Sequence, residues 1–440
     1  MKSVNGKVWN TKTTLTNFRE KLSLFIKNNE RFCLLNTGEK GGQEEPSFDL
    51  LAGWGTCEVF QITTQQDLIE LDKFIENHRG KWIFGHMSYE LKDLLEPGLT
   101  SNNPAHVGFP LLSFFVAEYV CSIKNDEVFF SCQSANPAFD AIKLLDEICS
   151  VEPSTSSAVP VIEPQIESFK TRYKTATNQI HQHILRGDIY ELNYCLPFQS
   201  KGTIPDPSRL WISMQTQQRA PFSALYRQEE NWLLCCSPER FMAKKGEKIF
   251  SQPIKGTAPR AADPELDAAL KSNLYHSEKE RAENVMIVDL VRNDLGKIAK
   301  RGSVKVEELC GIYSFPGVHQ MISTVSASIK NGIGFVEILK ALFPMGSMTG
   351  APKIRAMEII EEQEFFRRGI YSGSVGYISP TGDFDFNVVI RSILYNSSSN
   401  QLLYPAGSAL TANSDPEKEF EECTLKAEGM KSVLKKFEKV

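Results

Sequence analysis

The chain has 440 residues, of which 41% are hydrophobic and 23% charged, with a formal net charge of −5. That length and balance fit a globular protein with a large core, and the slight acidic excess carries no footprint of a nucleic-acid binder. Ten cysteines, including adjacent Cys235 and Cys236, show neither CxxC spacing nor a regular framework, which predicts reduced, mostly buried thiols, no structural zinc and a cytoplasmic location.

The first residues, MKSVNGKVWNTKTT, lack the apolar run of a signal peptide. The most apolar stretch, Val107 to Ile123, contains Pro110 and Glu118 and is too short to span a bilayer, so no membrane is expected. Residues 1–150 mix short apolar runs such as RFCLLN and KWIFGHM with turn-rich stretches such as TGEKGGQEEPS, a texture of strands and loops around a partial core. The Pro- and Ser-rich segment 151–165 reads as a connection to a second region, 166–437, where long helical patterns alternate with strand pairs.

Within that second region, His181 and His183 lie two apart in a helical stretch and so point to different faces, which predicts a surface rather than a metal site. No GxxxxGK[ST], GxGxxG or GxSxG run is present, so nucleotide and serine-hydrolase readings have no support. The run PIKGTAPR at 253–260 frames Lys255 between Pro253 and the Gly256-Thr257-Pro259 side. Turn chemistry of that kind can aim an amine, although a K-G pair alone is more often a solvated loop.

Asp263-Pro264 predicts a helix start, and Ser277 with Glu280 predicts a capping box for the next helix, running to about Asn293 and ended by Gly296. Gly350-Ala351-Pro352 opens another, expected to run through KIRAMEIIEEQEFFRR and stop at Gly369. SVGYIS and FDFNVVIRSILY predict a hairpin around Pro380 to Asp383, and Asp415-Pro416 opens a C-terminal helix. Glu280 and Glu283 share one helical face, as do Glu419 and Glu422. Four such carboxylates could converge on a hard cation such as Mg²⁺; a closed capping box and a solvated face beside Lys426 are the plainer alternative.

The runs SPERF (237–241), PIKGTAPR (253–260), ERAENVMIVDLVRNDLG (280–296), TGAPKIRAMEII (349–360), YSGSVGY with VVIRS (371–377 and 388–392) and SDPEKEFEECTLKA (414–427) occur in this order. Together they resemble the chorismate-utilising enzymes, which include anthranilate, aminodeoxychorismate, isochorismate and salicylate synthases. Lysine before Gly256 is similar to the PIKGT of the aminodeoxychorismate-forming members rather than the PIAGT of anthranilate synthases. The resemblance implies an α+β fold of two stacked antiparallel β-sheets flanked by helices, with residues 1–150 contributing to the sandwich and the active site in the central cleft.

It also implies roles. Lys255 is the covalent nucleophile that attacks ring carbon 2 of chorismate, after which ammonia attacks carbon 4 to give 4-amino-4-deoxychorismate. Glu239 is the acid for the departing hydroxyl, which Thr257 contacts beside Gly256. Tyr371 and Arg391 hold the side-chain carboxylate, with Gly407 offering backbone N–H nearby. Glu283 and Glu422 bind Mg²⁺, supported by Glu280 and Glu419, and Lys426 neutralises the cluster. Because a neutral amine is needed, burial or nearby positive charge is expected to depress the pKa of Lys255.

Three positions depart from the family pattern: Glu191 where isochorismate-forming members have a water-activating lysine, Gln320 at a usual histidine position with His319 one residue early, and Gly407-Ser408-Ala409 in place of Gly-x-Gly. No glutamine amidotransferase elbow of the G-x-C-x-G kind is present, so the resemblance implies an amidotransferase subunit that makes ammonia from glutamine. The alternatives are an anthranilate synthase component, against which Lys255 and the absence of an LLES-type run near CLLNT (33–37) argue, and a catalytically silent binding subunit.

Overall fold

The computed structural model describes residues 4–10, 15–37, 48–125, 127–134, 139–152 and 166–437. Most of the connection read at 151–165 lies outside them. Every strand pairing among the described residues is antiparallel. The strands form two large sheets and a small third one.

In the first large sheet, the strands Val4–Asn10, Glu127–Cys132, Tyr119–Lys124, Leu50–Trp54 and Arg31–Asn36 continue directly into Phe222–Gln228, Asn231–Ser237 and Ser392–Asn396. In the second, Ile83–Met87, Leu112–Val116 and Glu58–Ile62 sit beside Ser374–Ile378 and Phe384–Asn387, which lead on to Arg240–Lys245, Lys248–Gln252, Val318–Ser328 and Ile254–Pro259. Residues before 150 thus supply one end of each sheet. Chain order alone cannot show this, because the partners are remote in sequence.

The sheets stack face to face as an α+β sandwich. A methyl group added at Gly53 of the first sheet would lie 2.3 Å from the Phe84 ring of the second, so glycine is what lets the two layers approach. His86 Nδ1 and Tyr226 Oη, one from each layer, lie 2.9 Å apart. Leu50–Trp54, Ile83–Met87 and Leu112–Val116 are buried at every residue, as strands covered on both faces must be. One apolar cluster fills the space between the sheets and under the helix Glu278–Ile298. A second lies between the first sheet and its helices, with Tyr173, Trp211, Ile359 and Phe420 among its members.

The third sheet, Gly350–Ala351, Glu191–Leu196 and Ala406–Leu410, is absent from the two-sheet expectation, since its strands lie far apart in the chain. Helix starts follow the caps: Asp263 accepts from Leu266 N–H at 3.2 Å, Ser277 Oγ from Glu280 N–H at 3.3 Å, and Asp415 from Glu417 N–H at 2.8 Å.

Two helix ends differ from expectation. Gly296 does not stop its helix, which continues to Ile298 because Leu295 and Ile298 are buried, and packing outweighs the ~1 kcal/mol cost of one glycine. The helix opened at Lys353 ends at Gln363 rather than at Gly369. There Glu364 leaves helical geometry, and its carboxylate accepts from Cys195 N–H and from Arg368.

The hairpin forms, with Ser379 N–H donating to Asp383 O at 2.7 Å, but FDFNVVIRSILY is not one strand. Phe384–Asn387 belongs to the second sheet and Ser392–Asn396 to the first, so the intervening residues cross between layers. All ten cysteines are unpaired, and eight are buried. No helix among the described residues is long and apolar enough to cross a membrane.

Candidate active site

Lys255 stands on strand rather than on the loop its glycine and prolines suggest. Ile254 pairs with Ile322 and Thr257 with Gln320, so three steps on one strand match two on the other and Lys255-Gly256 form a bulge. A bulge re-aims a side chain. Gly256, at φ +93°, supplies the conformation, and a Cβ there would also sit 3.1 Å from Glu280 Oε2. Asn284 on the helix Glu278–Ile298 donates to the Lys255 carbonyl at 3.4 Å and to the Met321 carbonyl at 3.3 Å, tying bulge to helix.

The amine so aimed enters a cavity of about 610 Å³. Around it the structure brings Glu239, Lys255, Gly256, Thr257, Glu280, Glu283, Tyr371, Arg391, Gly407, Glu419, Glu422 and Lys426. Eleven of these come from sequence blocks separated by up to 187 positions; they meet because the bulged strand, the turn after Asn231–Ser237, the interlayer crossing and the helices Glu278–Ile298 and Pro416–Phe437 all end at one cleft.

The charge state expected for Lys255 is reversed. Burial alone would discharge the amine, but Glu191, Glu283 and Glu239 outweigh it and raise its pKa above the ordinary lysine value. Its Nζ donates directly to Glu191 Oε1, with the two side chains 11% and 2% exposed. Burial and nearby cations are visible in the local sequence, whereas this carboxylate lies 64 residues away in the chain.

Glu239 is buried, and its pKa is pushed up to about 7 by loss of solvent, against the opposing pull of Ser347 and Lys255. Arg240, the neighbour that could have neutralised it, is engaged by both oxygens of Asp385 at 3.0 Å and by Gln252. A carboxyl titrating near neutrality can hold a proton for delivery.

Arg391 lines the cavity half-buried, and no side chain among the described residues forms an ion pair with it. Burial lowers its pKa, with Tyr371 and Glu422 acting in the opposite sense. Its backbone, at φ +53°, is left-handed, a conformation non-glycine residues hold at a cost of order 1–3 kcal/mol. Gly407 is required for space: a Cβ would lie 2.6 Å from Cys195 Sγ and 2.8 Å from Tyr194 O. Its carbonyl accepts from Lys426 Nζ at 2.9 Å, and Lys426 also pairs with Glu422 at 2.6 Å.

Glu280, Glu283, Glu419 and Glu422 face the cavity from two helices. Burial first, and then neighbouring charge, pushes Glu283 to about 7 and raises Glu419. Burial acts upward on Glu422 too, but Lys426 brings it below the ordinary value. Lys279, which the sequence reading passed over although it stands four residues before Glu283, reaches Glu283 at 3.9 Å and Glu419 at 4.0 Å. A cation between these helices is therefore electrostatically favoured, and the all-oxygen donor set suits a hard divalent ion. Among the described residues no three metal-ligating groups are already drawn together around one point, so the carboxylates fit by chemistry and not by preformed coordination.

His319 turns away from the cavity, with Nε2 3.1 Å from Asp267 Oδ1 and Nδ1 2.9 Å from Ser314 Oγ, while Gln320 faces in. Ser408 is occupied by the Tyr173 hydroxyl at 2.6 Å. His181 and His183 are held apart, by Ala412 O and Asp188 respectively. Residues 35–37 of the CLLNT run line a separate pocket of about 50 Å³ between the sheets, with Phe222, Tyr377 and Asp385.

Residues 30–432 match the family model described as chorismate binding enzyme. The chain belongs to that family. It is 40% identical over 275 residues to aminodeoxychorismate synthase component 1 of Escherichia coli K12, a match covering 62% of this chain and 59% of that protein. It is 33% identical over 373 residues to an anthranilate synthase component I-like protein of Synechocystis, covering 83% of this chain and 76% of that one. The chain thus spans less than two thirds of the curated aminodeoxychorismate synthase from E. coli, and 30% of a probable chloroplastic one from rice. In fold it is similar to anthranilate synthase component I of Streptococcus pneumoniae (TM-score 0.70, 23% identity, 91% of this chain and 92% of that one). It is likewise similar to the menaquinone-specific isochorismate synthase of E. coli (TM-score 0.75, 16% identity, 98% and 94%).

Proposed function

We propose that this chain is the chorismate-converting component of an aminodeoxychorismate synthase, forming 4-amino-4-deoxychorismate from chorismate and ammonia. The observation that carries the reading is a buried lysine, Lys255, aimed by a bulge into a cavity that also holds a protonatable Glu239 and an Arg391 with no ion-pair partner among the described residues. Relatives from E. coli, Klebsiella aerogenes and Bacillus subtilis that carry the name aminodeoxychorismate synthase component 1 support it.

In this reading Arg391 takes the side-chain carboxylate of the substrate in a forked pair of charge-assisted bonds, with Tyr371 alongside. Glu239 gives its proton to the hydroxyl at carbon 4, which Thr257 orients, while the Lys255 nitrogen bonds to carbon 2. Ammonia then bonds to carbon 4 and the lysine leaves. Two displacements return the substituent to the same ring carbon with its configuration kept. Glu283 and Glu422, with Glu280 and Glu419, would hold Mg²⁺ beside the ring carboxylate. That ion, when bound, supplies Lewis-acid withdrawal of electron density from the ring. Ammonia would come from glutamine through an amidotransferase partner, the second component that the name component 1 implies for the relatives.

Product analysis tests the assignment. Purified protein incubated with chorismate, Mg²⁺ and ammonium is expected to yield aminodeoxychorismate. Anthranilate would favour the other branch, to which the Synechocystis relative's name points, and unchanged chorismate would favour a silent binding subunit.

A further inference from the structure

A nucleophilic amine that rests as a cation must lose a proton before it can attack, and four carboxylates act on its charge. Glu239 comes from the turn before Arg240–Lys245, Glu283 from the helix Glu278–Ile298, Glu422 from the helix Pro416–Phe437, and Glu191 from the strand Glu191–Leu196. Only Glu191 is in hydrogen-bond contact with the Lys255 nitrogen among the described residues. Glu239 is committed to the leaving hydroxyl, and Glu283 and Glu422 to the cation cluster.

We propose that Glu191 is the proton shuttle of Lys255, taking a proton from the amine for the first displacement and returning it in the second. This rests on the lysine-nucleophile reading above. Three observations carry it. Glu191 Oε1 receives the Lys255 N–H directly. The other oxygen, Oε2, is buried with no hydrogen-bond partner among the described residues, a costly state for a carboxylate and one that taking up a proton would relieve. Both backbones are fixed: Tyr190 N–H donates to Ala351 O at 2.7 Å beside the Glu191 pairing with Ala351, and Asn284 grips the Lys255 carbonyl.

The proton inventory closes. One proton passes from the Lys255 ammonium to Glu191, and the freed nitrogen bonds to carbon 2. The ring double bond shifts, and the carbon 4–oxygen bond breaks as Glu239 protonates the hydroxyl, which departs as water. Ammonia then bonds to carbon 4, and the carbon 2–nitrogen bond breaks with its electron pair returning to lysine. Glu191 restores the lysine proton, and the new ring ammonium returns one to Glu239. No external oxidant, reductant or base is consumed.

The test uses chorismate and Mg²⁺ without ammonia, and reads the rate at which the intact protein gains the mass of chorismate less one water. Internal transfer within the Lys255–Glu191 pair leaves its proton count unchanged, so pH does not limit the wild type through this pair. Glu191→Gln keeps the shape and a hydrogen-bond acceptor but must lose the amine proton to bulk base. The ratio of the Glu191→Gln rate to the wild-type rate is therefore expected to start low, and to climb about tenfold per pH unit between about pH 6 and 9. Titration of Glu239, common to both proteins, cancels in that ratio, whereas loss of the Glu191 charge lets Glu283 ionise at lower pH, which works against the expected climb and cannot mimic it. Glu191→Asp, which keeps a carboxylate, is expected to show a lowered ratio that does not change with pH.

A Glu191→Gln ratio that stays constant with pH overturns the proposal and makes Glu191 a structural partner only. If that variant does not melt cooperatively, Glu191→Ala with added formate decides: an adduct rate that rises with formate concentration supports the shuttle, and one that formate leaves unchanged overturns it. A wild type that forms neither adduct nor aminodeoxychorismate overturns the underlying lysine reading instead, a result distinct from a constant ratio.

Discussion

Lys255 is restrained by its own surroundings. Three carboxylates hold it charged, whereas its proposed chemistry needs a lone pair, so the proton's route matters as much as the nitrogen's position. Glu239 shows the complementary logic: burial lifts it to about 7, and no cation among the described residues reaches it at hydrogen-bond range. An acid must be protonated to act, so its contribution is present below that pH and lost as pH rises through it. Turnover of chorismate is accordingly expected to fall above about pH 7, and Glu239→Gln to lower kcat by about 10²–10⁴; a rate unchanged from pH 6 to 9 would contradict the assignment. Arg391 couples strain to binding. Arg391→Gly relaxes the left-handed backbone and removes the guanidinium, so calorimetry is expected to show an equal or higher melting temperature while KM for chorismate rises about 10–100-fold. A lowered melting temperature with KM unchanged would show that the arginine serves the fold instead. At this scale Lys255, Glu239 and Arg391 were legible because each sits in a run whose residue types resemble a known pattern. The sign of the lysine shift was not, since it depends on Glu191, whose proximity is purely tertiary.

Elements place these groups through a few buried contacts. Arg368 pairs with Glu364 in the interior, at 1% and 2% exposure, and donates to the carbonyls of Met348 at 2.7 Å and Asn193 at 2.9 Å, both on the cavity wall. Glu364→Ala would strand that guanidinium, at an expected loss of about 3–5 kcal/mol in urea unfolding. A loss under 1 kcal/mol would show the cluster to be dispensable. Gly407→Ala forces a methyl against Cys195 Sγ and the Tyr194 carbonyl, and an expected cost of about 1–3 kcal/mol follows from overpacking. Helix starts were readable in sequence, since Asp263, Ser277 and Asp415 cap through contacts within three residues. Helix ends were not. Gly296 is overridden by Leu295 and Ile298 packing beneath it, and the end at Gln363 is imposed by the Glu364–Arg368 pair reaching Cys195 and Asn193 across the fold.

In the whole molecule, the two sheets share strands from both ends of the chain, and the segment between Asn387 and Ser392 steps from one layer to the other. That step carries Arg391 into the cleft, so alternation in FDFNVVIRSILY looked like one strand although it serves two sheets. The sandwich itself was legible only through resemblance; periodicity revealed strands and helices but not which faces meet. Because two helices bring like charges together at the cleft mouth, removal of divalent cations with EDTA is expected to lower chorismate turnover at least about tenfold, with Mg²⁺ restoring it. Undiminished turnover after EDTA would contradict a cation role. These elements converge on one nitrogen, and peptide mapping of protein treated with chorismate and Mg²⁺ in the absence of ammonia tests it most directly. An adduct of chorismate less water is expected on the peptide bearing Lys255, absent in Lys255→Ala. An adduct on another residue, or aminodeoxychorismate formed by Lys255→Ala at the wild-type rate, would contradict it.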